Sequence, residues 1–364
     1  MSPFRPALAC LLAITALAGG PDTLRVEVQP LPVESRTLLL SGASGPHVFS
    51  VPGAYVWCPS VIRDDEGHYQ LFHSRWPMEK GWDAWLTHSE IDRAVADRPE
   101  GPYRPLGVVL PAVGPGRGKW FDAHNPKVER FEGVYWLYFI QTWVGGSDES
   151  LRSEIARQGG RHPLWMSAIR PNQRTFVARA ETLDGPWVVT REPIVQPAGS
   201  IVHLTVNPAV CRRPDGGYLM IVKGDKPGAT RFIRNQAVAT SPRPDGPWTV
   251  ADKAAIDDMD TEDVSVWHDT RRGRYYAVFH TGADGGFIGM ITSEDGLNWS
   301  KAAQFKLTPK VLRFADGSSW KPSMMERPYV LRDASGEPSH LLVAVGRPGG
   351  SSIAILSLRA SDSR

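Results

Sequence analysis

Pro208-Ala209-Val210-Cys211-Arg212-Arg213-Pro214-Asp215-Gly216-Gly217-Tyr218 places a Pro two residues ahead of a Val, then a polar turn with Gly, then an aromatic residue that opens a strand. The phrase recurs as Pro59-Ser60-Val61 with Gly67-His68-Tyr69, and as Pro126-Lys127-Val128 with Gly133-Val134-Tyr135. Val264-Ser265-Val266 with Gly273-Arg274-Tyr275, and Pro328-Tyr329-Val330 with Gly336-Glu337-Pro338, complete five copies. The turn glycines are spaced 66, 83, 57 and 63 residues apart. A period that long, filled with short strands, fits one four-stranded sheet per repeat, which is a propeller blade. The sequence therefore predicts an all-β, five-bladed β-propeller, with four-stranded antiparallel blades around a central funnel.

A second recurring phrase marks the far edge of the blades: Glu100-Gly101-Pro102-Tyr103, Asp184-Gly185-Pro186-Trp187, Asp245-Gly246-Pro247-Trp248 and Asp295-Gly296-Leu297-Asn298-Trp299. An acid followed by Gly and Pro is turn chemistry, because Gly takes positive φ and Pro presets its own. The aromatic residue then opens the outer strand and covers the flank of the blade. These phrases read as architecture and not as chemistry.

The chain has 364 residues, 41 Lys and Arg against 39 Asp and Glu, and a formal net charge of +2. No basic run or stripe supports nucleic-acid binding, which needs many phosphate-neutralising cations. Met1 to Ala18 reads as a signal peptide: Arg5 starts it, Ala7 to Ile14 form an apolar core, and Ala16-Leu17-Ala18 is an A-x-A site. It is too short to span a bilayer stably, so the expectation is export without a membrane span. Cys10 leaves with that segment, and Cys58 and Cys211 are the two that remain. They lack zinc-ligand spacing, and a disulfide between them is the alternative to two free thiols. Residues 19–52 are a Pro/Gly/Ser-rich lead-in that has room to supply a closing strand to the last blade, and residues 53–364 form the propeller. The widest repeat carries extra residues from Gly145 to Asn172, which read as a rim loop or short helix of the kind that more often binds than idles.

In a propeller the innermost strand of each blade starts at the funnel, so the residues just ahead of the repeated Pro or Val line it. Internal alignment makes Trp57-Cys58, His124-Asn125, Val206-Asn207, Glu262-Asp263 and Glu326-Arg327 equivalent. Asp122 lies four residues ahead of Pro126. Acids then come from three blades: Asp122, Glu262 with Asp263, and Glu326. Burying an unpaired carboxylate is costly, so a converging set points to a polar pocket. Two carboxyls facing each other across a sugar are what glycosidic cleavage needs, one protonated and one ionised. The competing reading is that these acids pair with Arg327 or Lys223 and tie the blades together. Thirteen Trp residues add candidate sugar platforms, Trp57, Trp76 and Trp120 being nearest the slots. Arg75, Lys223 and Arg327 are candidate anchors for an anionic group on a sugar.

Trp57-Cys58-Pro59-Ser60-Val61, Ser74-Arg75-Trp76-Pro77, His124-Asn125-Pro126, Val206-Asn207-Pro208, Thr261-Glu262-Asp263 and Glu326-Arg327-Pro328-Tyr329-Val330 carry a resemblance. The chain from about Tyr55 to Val345 resembles the five-bladed propeller glycoside hydrolases of the family 43 and family 117 type. The resemblance implies a general acid at Glu262, with Asp263 holding its pKa up, and an inverting reaction. The water-activating Asp of family 43 corresponds to Cys58, and its third-blade Asp to Asn207. The base then falls to Asp122 or Glu326. Family 117 members use a histidine acid, which points to His124, while Asn125 and Asn207 remain as sugar-binding groups. No metal or other cofactor is expected; some relatives hold a divalent ion on the axis, where His203 and His280 would be outer groups only. The partner implied is a plant or algal carbohydrate, and the alternative is a propeller that binds glycans without cleaving them.

Overall fold

Each of the five repeat glycines sits at positive φ: Gly67 at 94°, Gly133 at 85°, Gly216 at 90°, Gly273 at 60° and Gly336 at 86°. That region is open to Gly and strained for residues with a side chain, so the turns that launch each second strand are fixed by sequence. The computed structural model describes residues 20–114, 119–229 and 233–363. The stretch Met1–Ala18 with Cys10, read from the sequence as a signal peptide, lies outside them.

Five four-stranded antiparallel blades follow. Blade 1 comprises Ala54–Arg63, Tyr69–Pro77, Glu90–Ala96 and Arg104–Leu110. Blade 2 comprises Phe121–Phe131, Val134–Thr142, Arg174–Ala180 and Val188–Val189. Blade 3 comprises Val202–Arg212, Tyr218–Asp225, Arg234–Ser241 and Thr249–Ile256, and blade 4 comprises Thr261–Asp269, Arg274–Thr281, Phe287–Ser293 and Trp299–Pro309. Blade 5 takes Met325–Arg332, Pro338–Arg347 and Gly350–Asp362 from the end of the chain and Leu24–Val28 from its start. The first strand pairs from Leu24 opposite Asp362 to Val28 opposite Leu358, so the lead-in closes the circle.

A blade is buried on both faces, so its strands read as unbroken apolar runs instead of alternating ones. Tyr218-Leu219-Met220-Ile221-Val222 shows the consequence. Leu219 and Ile221 join the core shared with blade 4, while Tyr218, Met220 and Val222 join the core shared with blade 2. Every junction between neighbouring blades is filled by one such cluster.

The turn glycines Gly101, Gly185 and Gly246 also hold positive φ, and Tyr103, Trp187 and Trp248 follow them into the outer strands. The extra residues of blade 2 form a helix, Glu149–Gln158, whose first turn is capped by Asp148 accepting from the Leu151 amide at 3.0 Å. Ile155 on its buried face packs against Leu86 and Ile169. Cys58 and Cys211 are both buried and free, so the disulfide alternative is not realised. Among the described residues no helix is long and apolar enough to cross a membrane.

Candidate functional site on the propeller axis

At the same point in all five inner strands a non-glycine residue adopts positive φ: Cys58 at 55°, Asn125 at 56°, Asn207 at 55°, Asp263 at 64° and Arg327 at 57°. The ladder to the second strand slips at each of these points. Such conformations persist only where the surroundings over-determine them. Here the bulge turns one polar side chain per blade onto the axis, where they bond in series. The Cys58 thiol donates to Asn125 Oδ1, and Asn125 Nδ2 donates to Asn207 Oδ1. Asn207 Nδ2 donates to Asp263 Oδ1 at 2.6 Å, and Arg327 Nη1 donates to the same oxygen. Burial works to raise the Asp263 carboxyl, but the Arg327 guanidinium and the His280 imidazole together hold its pKa below the usual carboxylate range.

The residues one position earlier are Trp57, His124, Val206, Glu262 and Glu326. Opposite them in the second strands stand Ser74, Ile140, Lys223, His280 and Ala344. Two of this second set reach forward to the next blade. Ser74 Oγ accepts from the Asn125 amide at 2.9 Å, and Lys223 Nζ donates to Glu262 Oε1 at 2.8 Å. His280 Nδ1 lies 2.9 Å from Asp263 Oδ2, an ion-pair contact poorly directed as a hydrogen bond. Arg234 completes the cluster, with Nη1 2.6 Å from Glu262 Oε1 and its other nitrogens on Asp260.

These contacts set the charges. Burial alone would raise the Glu262 carboxyl, yet Lys223 and Arg234, with Arg327 and His280 behind them, hold it well below its ordinary value. Glu262 is therefore ionised at rest, which corrects the expectation that Asp263 keeps it protonated. Glu326 goes the other way: burial raises it, and the nearby Asp263 and Glu262 charges add to the rise against His280 and Arg327. Burial disfavours the His280 imidazolium, but the Asp263 carboxylate beside it lifts its pKa. Glu262, Asp263 and His280 offer ligand atoms within 4.8 Å of one another and are the set that would hold a divalent ion. Their charges are already matched by Lys223, Arg234 and Arg327, so the donor set does not suit one.

Several expectations are corrected by packing. Trp57 and Trp76 are buried, edge-on to Trp82 at 5.0 and 5.3 Å, and Trp76 Nε1 donates to the Trp82 carbonyl. Neither ring has a face to offer a sugar. Trp120 packs into the core between blades 1 and 2. His124 is enclosed by Trp76 and Trp85, bonds Ser89 Oγ through Nδ1 at 2.8 Å, and is kept neutral by burial and by the Arg327 and Lys223 charges. Arg75 pairs with Glu90 at 2.5 Å and Asp92 at 3.7 Å on its own blade, and so is not an open anion anchor. Lys223 and Arg327 are likewise committed to Glu262 and Asp263. Asp122 is fully buried at φ 74° on the inner strand of blade 2, its amide bonded to the Ala112 carbonyl at 2.7 Å. Sequence reading missed Arg234 and Asp260. Nothing in the repeats marks them, whereas Lys223 and His280 fall at equivalent second-strand positions that the same alignment reaches.

No family model matches the chain, and no curated protein does. Solved structures match in fold. Zg3597, a family 117 glycoside hydrolase produced by the marine bacterium Zobellia galactanivorans, aligns with a TM-score of 0.60 at 14% identity, over 93% of this chain and 91% of its own. The catalytic domain of a GH62 α-L-arabinofuranosidase from Coprinopsis cinerea gives 0.56 at 13% identity, over 93% and 98%. The GH43_1 enzyme from Xanthomonas citri, solved with xylotriose, gives 0.53 at 16%, over 91% and 93%. The chain shares the five-bladed propeller of these proteins.

Proposed function

We propose that the protein is an exported glycoside hydrolase that removes terminal sugars from a plant or algal oligo- or polysaccharide. The observation that carries this reading is the pair Glu262 and Glu326 on adjacent blades beside the axis, with pKa values pushed in opposite directions. Glycosidic cleavage needs one carboxyl of each kind. Glu326 is the proton donor to the leaving oxygen. Glu262 is the ionised partner that positions water and faces the positive charge developing on the sugar ring. This exchanges the roles that the sequence suggested. Asp122 remains a further candidate base, although its carboxyl is covered. Asp263, tied to Arg327 and His280, holds the floor on which the pair stands. Export rests on the Met1–Ala18 segment, and the carbohydrate substrate is supported by the glycosidase activities of the structural neighbours and by xylotriose in one of them.

A panel of aryl glycosides and plant and algal oligosaccharides tests the reading, with the anomer of the released sugar followed by proton NMR. Sugar release by the wild type, inversion at the anomeric carbon, and a loss on the order of 10²-fold or more in Glu326→Gln are expected. Undiminished activity in Glu326→Gln removes that residue from the mechanism. A second reading is favoured by Cys58, Asn125 and Asn207 on the axis, where family 43 would place acids at two of the three: a propeller that binds glycans without cleaving them. Binding of an oligosaccharide with no release of sugar would establish it.

A further inference from the structure

His203 sits near the start of the inner strand of blade 3 at φ 68°, four residues before the axial Asn207. Its imidazole Nδ1 lies 2.9 Å from Asp225 Oδ2, yet 58% of the side chain is exposed. Asp225 is held in turn. Arg170, from the extra segment of blade 2, donates Nη1 to Oδ2 at 2.5 Å and Nη2 to Oδ1 at 2.6 Å, a two-pronged grip on a buried carboxylate. Arg174 fixes the backbone, donating to the His203 carbonyl at 2.9 Å. A carboxylate gripped in this way only accepts, so Nδ1 carries a proton, and in the neutral imidazole that leaves Nε2 as an acceptor. Among the described residues no group bonds that nitrogen.

The position links this histidine to the axial cluster. Asp225 stands directly across the ladder from Arg234, whose guanidinium contacts Glu262. Lys223, two residues before Asp225, holds Glu262 from the other side. The chain of contacts therefore runs from His203 through Asp225 and Arg234 to the carboxylate in the funnel. A purely structural ion pair needs neither a strained backbone on its histidine nor an acceptor aimed outward, and strain of this kind gathers at sites that work.

We propose that His203 is a substrate-contacting residue: Nε2 accepts a hydrogen bond from a hydroxyl of the sugar unit next to the terminal one, with Asp225 and Arg170 as positioning residues. An exposed nitrogen acceptor suits a polyol, which is rich in O–H donors. The inference rests on the glycoside hydrolase reading and names the part of the substrate that one side chain meets.

Two substrates sharing a terminal sugar separate the outcomes: an aryl glycoside that ends at that sugar, and an oligosaccharide that continues past it. His203→Ala is expected to raise KM for the oligosaccharide about tenfold, with kcat within about threefold and the aryl glycoside unaffected. His203→Gln restores part of the loss, and Asp225→Asn reproduces it. Nitrogen-15 NMR of the wild-type imidazole is expected to show the Nδ1–H tautomer. An unchanged oligosaccharide KM in a folded His203→Ala variant overturns the proposal, as does the Nε2–H tautomer. If the wild type binds the oligosaccharide without cleaving it, a Kd raised about tenfold in His203→Ala sustains the contact while the hydrolase reading falls. If it neither binds nor cleaves, both fall.

Discussion

Cys58 is a thiol that reagents should not find. Burial pushes its pKa up to about 12, with Arg327 pulling the other way and Asp263 adding to the rise, and Cys211 is raised to about 12 by burial as well. Nucleophilic attack needs the thiolate. Ellman's reagent at pH 8 is expected to find no fast thiol in a folded chain that begins after Ala18 and two after denaturation, and a fast native thiol would contradict the packed core. Asp92 carries a different signal, because burial raises it to about 6 against the pull of Arg75 and with a push from Glu90. A carboxyl whose folded pKa is raised contributes stability that is full below its unfolded value near 3.8 and is lost as pH rises through about 6. Asp92→Asn is therefore expected to stabilise at pH 7.5 by about 1–2 kcal/mol in urea unfolding and to do little at pH 3.5. Arg75 keeps Glu90 in that variant. A gain of equal size at both pH values would show that the raised pKa is not the cause. The axial slots were legible because the five copies align on one another. Their charges were not, because Arg234, held in place by Asp260, sits outside the repeated phrase and joins Lys223 in inverting the state expected of Glu262.

The helix Glu149–Gln158 shows what an insertion does that a repeat cannot foretell. Sequence placed extra chain at the rim, but only the fold shows that Ala156 packs with Trp57, Cys58 and Trp76 and takes those rings out of reach of solvent. Its Asp148 cap gives a measurable handle. Asp148→Ala is expected to cost about 1 kcal/mol locally. Amide exchange should quicken across residues 149–158 while the inner strands of the blades stay protected, and slow exchange in the variant would show that packing alone holds the helix. Strands were easier to read than this helix. Turn glycines, four of the five with a Tyr two residues on, and Gly-Pro turns before Tyr or Trp punctuate the blades at fixed points, and two buried faces leave long apolar runs between them. The helix has only its Asp148 cap and the terminal Gly159 at φ 54° to mark it, and no repeat to align them on.

A propeller has no free end to spare, and this one is shut by Leu24–Val28 along Gly350–Asp362. Leu24, Val26 and Leu31 are almost wholly buried there, and Gln304 of blade 4 bonds both the amide and the carbonyl of Val26 at 2.7 Å. At about 1.5–3 kcal/mol for each buried side chain, their loss amounts to much of a domain's usual margin of about 5–15 kcal/mol. A chain starting after Leu31 is expected to melt at least 10 °C lower or to aggregate, and an unchanged Tm would mean that the circle closes without this strand. The axis holds a further consequence. Asp263 can only accept, so Asn207 must show it the amide nitrogen and turn its oxygen to Asn125. Asn125 must then do the same toward Cys58. Arg327 donates into Asp263 from the opposite side. Five near-equivalent blades thus acquire a polarity: every donor arrow on the axis ends at one carboxylate, and blade 4 ceases to be interchangeable with the other four. An amide at that position would supply a donor of its own and leave each asparagine free to flip. The broken symmetry, carried by one side chain, falls on the side of the funnel where Glu262, His280 and Glu326 gather.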